Sequence, residues 1–214
     1  MRFISHHDLM KLFERVIRRA GIPIRMTEGF NPRPKISFPL SLAVGIEGLD
    51  EVVEMELNEW VQPSALLNQL RAQLPPCPPY SGREGIEITT IELVSPGESG
   101  QVEDVTCRIR LDNPPLIPPF VKGGMGGIKA KIDELLQRKE VSVCREKDGR
   151  KKYFNIRPSI IDIAAGTDFF ELRLRATAEG MARPDEVISV LGLDREIDCR
   201  LFEITRTKVK LAHS

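Results

Sequence analysis

The sequence predicts an α+β fold made of two similar modules. Three observations predict it. Segments of strand period and helix period alternate along the chain. From residue 104 onward they read roughly strand–helix–strand–strand–helix–strand, and before residue 96 the same order recurs without its opening strand. Between the two lies Ser95 to Glu103, with the Pro, Gly and Ser content of a linker. A β-α-β-β-α-β order is that of a ferredoxin-like module. Two tandem ferredoxin-like modules are therefore expected, over 1–95 and 104–214, joined by a linker at 96–103. Met1 stands only a few residues before the first helix, so the first module is expected to lack its N-terminal strand. An upstream segment or another chain would then complete the open sheet edge.

The elements follow in order. Ser5 is a good N-cap with Asp8 three residues on, as in a capping box. Leu9, Phe13, Val16, Ile17 and Ala20 form an apolar helical stripe that Gly21 and Pro23 end. On the polar side His7, Lys11, Arg15 and Arg18 recur at spacings of four, four and three, which puts them on one face; Arg19 extends it. Ile22 to Met26 reads as a short strand. Gly29 to Lys35 reads as a loop presenting Phe30, Asn31, Arg33 and Lys35. Ile36 to Val44 alternates as a strand, with Pro39 marking an edge or a bulge. Val53 to Leu57 is a half-exposed strand, Pro63 opens a second helix that Pro75 stops, and Ile86 to Val94 is a further strand.

In the second half Val105, Cys107, Ile109 and Leu111 alternate with polar residues, and Ile128, Ile132, Leu135 and Leu136 mark a helix. The Pro- and Gly-rich run at 113–127 is expected to be a tolerated insertion between them. It lacks the GxxxxGK[ST] pattern of a phosphate loop. Val141 to Arg145 and Lys152 to Ile156 predict a hairpin around Asp148 and Gly149. Phe170 to Ala176 alternates, Pro184 opens a last helix that Gly192 closes, and Cys199 to Leu211 is a long final strand.

The net charge is zero, but it is a sum of opposed regions. Residues 1–40 hold 8 Lys/Arg against 3 Asp/Glu, residues 41–104 hold 2 against 12, and residues 105–214 hold 21 against 16. Such segregation favours an anionic partner on one face. Besides the helix face, Arg145, Lys147, Arg150, Lys151, Lys152 and Arg157 form a second basic group on the hairpin. Phe30 and Tyr153 are the aromatics placed to stack on bases.

Several chemistries lack their residues. Cys77, Cys107, Cys144 and Cys199 form no CxxC pair, so no iron–sulfur cluster is expected. Buried, reduced thiols and a cytoplasmic location are expected, with Cys77 the accessible one. There is no GxSxG or HExxH motif. Adjacent His6 and His7 point apart on a helix, so no metal site and no cofactor are expected. His6 remains the one candidate general acid or base. No apolar run has the length of a membrane span, and Arg2, His6, His7 and Asp8 stand where an export signal needs apolar residues.

The run Arg2-Phe3-Ile4-Ser5-His6-His7-Asp8-Leu9-Met10 is distinctive, as are Arg18 to Pro23 and Gly29 to Phe38. Asn155 to Pro158, Ala182 to Val187 and Arg206-Thr207 continue the pattern. Together they resemble the uncharacterised radical-SAM-linked protein family, whose members are encoded beside, or fused to, a radical S-adenosylmethionine protein. His7, Arg33 and Asn155 depart from that pattern, which has an apolar residue, a His and an Asp there. The resemblance implies a partner enzyme and no reaction of its own. Its genomic neighbourhood, with ribonuclease and ribosomal-protein genes, implies RNA or a ribosomal component as substrate.

Three functions are thus expected to compete. The first is a non-catalytic accessory module positioning an anionic substrate for the radical enzyme. The second is a protein-interaction domain that docks that enzyme by strand addition, through the open edge or the acidic stretch 47–59. The third is a ferredoxin-like RNA-processing enzyme using His6.

Overall fold

The computed structural model describes residues 4–75, 85–95, 100–111, 124–166, 169–178, 180–193 and 202–212. The fold is mixed α+β. Among the described residues there are four α-helices: α1 His6–Ala20, α2 Pro63–Gln73, α3 Gly124–Gln137 and α4 Pro184–Val190. The strands are β1 Ile36–Ser37, β2 Ile46–Gly48, β3 Glu54–Met55, β4 Gln101–Leu111, β5 Ser142–Lys147, β6 Arg150–Asn155, β7 Ile160–Ala165, β8 Phe169–Arg175 and β9 Phe202–Ala212. The chain divides into two compact units, one reaching Gln101 and one of Val102–Ala212.

The first unit is organised by α1. The Ser5 hydroxyl accepts the Asp8 N–H at 3.2 Å and donates to the Asp8 carboxylate at 2.6 Å, which satisfies one of the helix's open donors. At the other end Gly21 takes a left-handed φ of 64°, and its N–H reaches the Arg18 carbonyl. Phe13, Val16 and Ile17 are buried, and Leu66 and Leu70 of α2 join the same core with Ile22, Ile24 and Ile36. Phe38 closes over its edge, 5.8 Å from the Phe13 ring in an edge-to-face contact.

Three strand expectations change in this unit. The run Ile36 to Val44 pairs only at Ile36 with Met55 and Ser37 with Glu54. Pro39 has no donor to carry the ladder on. Ile22 to Met26 contributes isolated bridges, Ile24 with Leu57 and Met26 with Pro34. Residues 86–94 form no ladder among the described residues. Their alternation has another cause: Ile86, Ile88 and Ile91 pack onto the core. The carbonyls of Ile88 and Thr89 accept the Arg71 guanidinium at 2.7 and 3.3 Å.

In the second unit the strands β9, β4, β8 and β7 are neighbours in that order. β4 and β8 run antiparallel from Asp104↔Arg175 to Arg110↔Phe169, and β7 and β8 from Ile160↔Leu174 to Ala165↔Phe170. Val105, Cys107 and Ile109 of β4 and Phe170, Leu172 and Leu174 of β8 are buried, as the period of two predicts. Ile128, Ile132 and Leu135 bury one stripe of α3, and Val187 and Ile188 bury one side of α4.

Strand β7 is not among the elements the sequence predicts. A register shift between Ile160 and Asp162 breaks its period, so the buried Ile160 and Ile163 stand three apart instead of two. The hairpin β5–β6 forms a sheet of its own. Residues 113–123 of the expected insertion and 96–99 of the expected linker lie outside the described residues, and residues 101–103 of that linker belong to β4. Residues 124–127 are not part of a loop: they open α3.

Candidate functional site

The periodicity that buries one stripe of α1 exposes the other. His7, Lys11, Arg15, Arg18 and Arg19 are all exposed. Arg15 donates through Nε to the Lys11 carbonyl at 3.3 Å, which holds its guanidinium along the helix. Among the described residues no carboxylate stands within ion-pair distance of these four Lys and Arg side chains. Arg15 and Arg19 rim a shallow depression of about 160 Å³ with Leu12, Val16, Gln73 and Pro75. Apolar floor and cationic rim suit a ligand with both a charge and a flat face.

The loop between Thr27 and Arg33 is closed by two hydrogen bonds of its own. Thr27 N–H donates to the Arg33 carbonyl at 2.7 Å, and Arg33 N–H donates to the Thr27 hydroxyl at 3.0 Å. Phe30, Asn31 and Arg33 are exposed on it, Phe30 completely. Lys35 differs: its ammonium lies 3.1 Å from the Glu56 carboxylate, which Arg25 also approaches at 3.4 Å.

His6 is half-buried at the start of α1, its ring 5.2 Å from Phe38 in an edge-to-face contact. Its Nδ1 is buried without a hydrogen-bond partner. A general acid or base is normally oriented through such a partner.

The second basic group divides. Lys151 and Lys152 are exposed, with Lys152 Nζ 4.9 Å from the centre of the Phe154 ring. Arg145 is instead engaged within the unit. Its guanidinium donates to the Glu186 carboxylate at 2.6 and 2.9 Å and to the Met181 carbonyl at 2.8 Å, and lies 4.6 Å over Phe154. The hydrogen bonds to Glu186 raise its pKa above the ordinary value for an arginine, against a smaller effect of burial. Arg157 donates to three carbonyls, those of Leu136 at 2.7 Å, Ile160 at 2.8 Å and Arg138 at 3.1 Å. These are the open acceptors at the end of α3 and the start of β7. Arg145 and Arg157 thus hold the unit together, and their donors do not face a ligand.

The family model that matches residues 1–184 is described as an uncharacterized protein conserved in bacteria, DUF2344. The chain belongs to this family. The DUF2344 match takes in α1, the loop, the hairpin and Arg157. No curated protein and no solved structure matches the chain.

Two features of this DUF2344 chain were missed from sequence. Trp60 is 74% exposed between β3 and α2, where only its position in a short polar connection could have drawn notice. Cys144 is exposed on β5, whereas Cys107 is buried. The expectation of buried thiols therefore fails for Cys144, which alternates outward on a two-stranded ribbon. Cys77 and Cys199 lie outside the described residues. Among the described residues no cluster of three or more His, Cys, Asp and Glu could hold a metal ion, and no helix is long and apolar enough to cross a membrane.

Proposed function

We propose that this DUF2344 chain is a binding module that positions an anionic substrate, RNA or a ribosomal component, for a separate radical S-adenosylmethionine enzyme. One observation carries the anion-binding part: Lys11, Arg15, Arg18 and Arg19 stand exposed on α1 without a carboxylate partner among the described residues. Other candidate cations are neutralised, Lys35 by Glu56 and Arg145 by Glu186. An unneutralised row on a rigid, capped helix supports recognition of a polyanion. The partner enzyme rests on the family resemblance in the sequence. The strand order β9-β4-β8-β7, with α3 and α4 in the intervening connections, supports a ferredoxin-like reading of the second unit, with β5–β6 as an addition.

The test is RNA binding by the full chain across a salt series, with Arg15→Glu/Arg19→Glu as the variant. Removing one cation from a phosphate lowers the log–log salt slope by about 0.7 for a single strand. The double variant is expected to bind more weakly, with a slope shallower by about 1.4. Equal affinity and slope in wild type and variant would sink the proposal. Capture of a radical S-adenosylmethionine enzyme in a native pull-down tests the partner, and absence of any such enzyme counts against that part.

A further inference from the structure

The β5–β6 ribbon carries a group of side chains that α1 does not explain. It is a two-stranded sheet with no third strand beside it among the described residues. Asp148 and Gly149, at φ of 52° and 73°, make the tight turn at its tip. Its base is fixed by Val141 and Ile156, whose backbones pair at 2.8 Å, and by Asn155, whose carboxamide oxygen accepts the Val141 N–H at 2.9 Å. Partway out, Arg145 ties it to Glu186.

The register assigns the faces. Cys144 stands opposite Tyr153 and Glu146 opposite Lys151, so these four share one face. Arg145 stands opposite Lys152, next to Phe154 on the other face. The two aromatics then have different fates. Phe154 is half-buried beneath Arg145 and Lys152. Tyr153 is 71% exposed, with Lys151 two residues away on its own face.

Residues 142–155 hold five Lys/Arg against one Glu and one Asp. Arg150, Lys151 and Lys152 are consecutive and exposed, and no carboxylate among the described residues lies within ion-pair distance of them. Two cations directly opposite each other, as at Arg145 and Lys152, oppose hairpin pairing. Tyr153 thus leaves an aromatic face open to solvent beside exposed cations. It fits a ligand that alternates flat faces with negative charges.

We infer that the β5–β6 ribbon is a second, single-strand-selective RNA contact, with Tyr153 stacking on one unpaired base, Lys151 of the same face meeting the adjacent phosphate, and Arg150 and Lys152 of the opposite face adding longer-range attraction. This rests on the reading that the substrate is RNA and adds its form: an unpaired segment, because a base inside a duplex offers no free face to a side chain.

The experiment measures fluorescence anisotropy of labelled oligouridine, and of a labelled RNA duplex of equal length, with the full chain. Wild type is expected to prefer the oligouridine. Tyr153→Ala is expected to weaken it on the order of 10- to 100-fold at an unchanged salt slope, while Tyr153→Phe keeps wild-type affinity. Lys151→Glu is expected to reduce the slope by about 0.7. Ultraviolet crosslinking of 4-thiouridine RNA to wild type, mapped to Tyr153, reads the same contact without a variant. Tyr153→Ala binding like wild type, equal affinity for the duplex, or crosslinks mapping elsewhere would each overturn the inference. So would a ribbon that binds polyglutamate and no RNA. If Arg15→Glu/Arg19→Glu abolishes binding while Tyr153→Ala leaves it intact, the ribbon inference falls and the α1 proposal stands. If wild type binds neither RNA, both fall.

Discussion

Replacing Arg145 by methionine isolates the tie between the β5–β6 ribbon and α4. Methionine keeps much of the aliphatic stem and removes the guanidinium. That guanidinium makes two hydrogen bonds to the Glu186 carboxylate and one to the Met181 carbonyl. The side chains are 20% exposed for Arg145 and 11% for Glu186, so the pair is mostly withdrawn from water. Breaking a fully buried pair costs about 3–5 kcal/mol, because the remaining charge is stranded. A fully exposed pair contributes about 0–1 kcal/mol. Glu186 would still accept the Arg183 N–H at 2.9 Å, so it is not wholly stranded. A loss of about 2–3 kcal/mol in the second unit is therefore expected, with a fall in Tm of roughly 10 °C. The assay is a double-mutant cycle of Arg145→Met and Glu186→Gln by urea unfolding, where a coupling of about 1–2 kcal/mol is expected. A coupling under about 0.5 kcal/mol would refute the reasoning, because it would mean that solvent screens the pair. The pH dependence gives a second reading. Burial pushes the Glu186 carboxyl up, but the Arg145 hydrogen bonds, the Arg183 N–H and the two positive charges outweigh it and hold the carboxyl below its ordinary value. A carboxylate so lowered stabilises the fold above its unfolded pKa of about 4.3 and loses that contribution as pH falls through its folded value. The advantage of wild type over Glu186→Gln should be level from neutral pH to about 5 and shrink below that.

Three further outcomes follow from the geometry. Arg157→Met leaves the carbonyls of Leu136, Arg138 and Ile160 without their donor. It should cost about 2–3 kcal/mol and speed hydrogen exchange at the end of α3. Gly21→Ala meets no neighbouring atom but forces a side chain into φ of 64°, so a loss of about 1 kcal/mol in thermal unfolding is expected from strain alone. His6→Phe removes an unpartnered buried Nδ1 and keeps a ring against Phe38. Tm should hold or rise and RNA affinity should not change; a loss of affinity would restore a role for the imidazole.

What the sequence made legible was whatever is settled over short stretches of chain. Ser5, the stripe through Phe13 and Ile17, and Gly21 specify α1 within sixteen or so residues, about four turns. Asp148-Gly149 specifies the β5–β6 turn in two, and the structure has both as expected. Where alternation had two physical causes, the pattern alone pointed to the wrong one. Residues 86–94 alternate because Ile86, Ile88 and Ile91 pack on a core, with no ladder. β7 was invisible because its bulge moves the buried residues out of step. In the candidate site, exposure of Lys11, Arg15, Arg18 and Arg19 follows from helix period and was readable. The engagement of Arg145 and Arg157 was not. Their partners lie 41 and 21 residues away at Glu186 and Leu136, and nothing local distinguishes an arginine that will find them from one facing solvent.

The Arg157 clamp also bears on how the second unit tolerates change. One guanidinium holds the end of α3 and the start of β7 together, through Leu136, Arg138 and Ile160. The whole ribbon leaves and returns between those points. Its stem is therefore closed at the neck by contacts that involve no residue beyond the Arg145 tie. Such a neck lets the outer ribbon lengthen, shorten or change its surface residues while the sheet beneath keeps its register. Selection can then retune what the outer ribbon contacts without renegotiating the core.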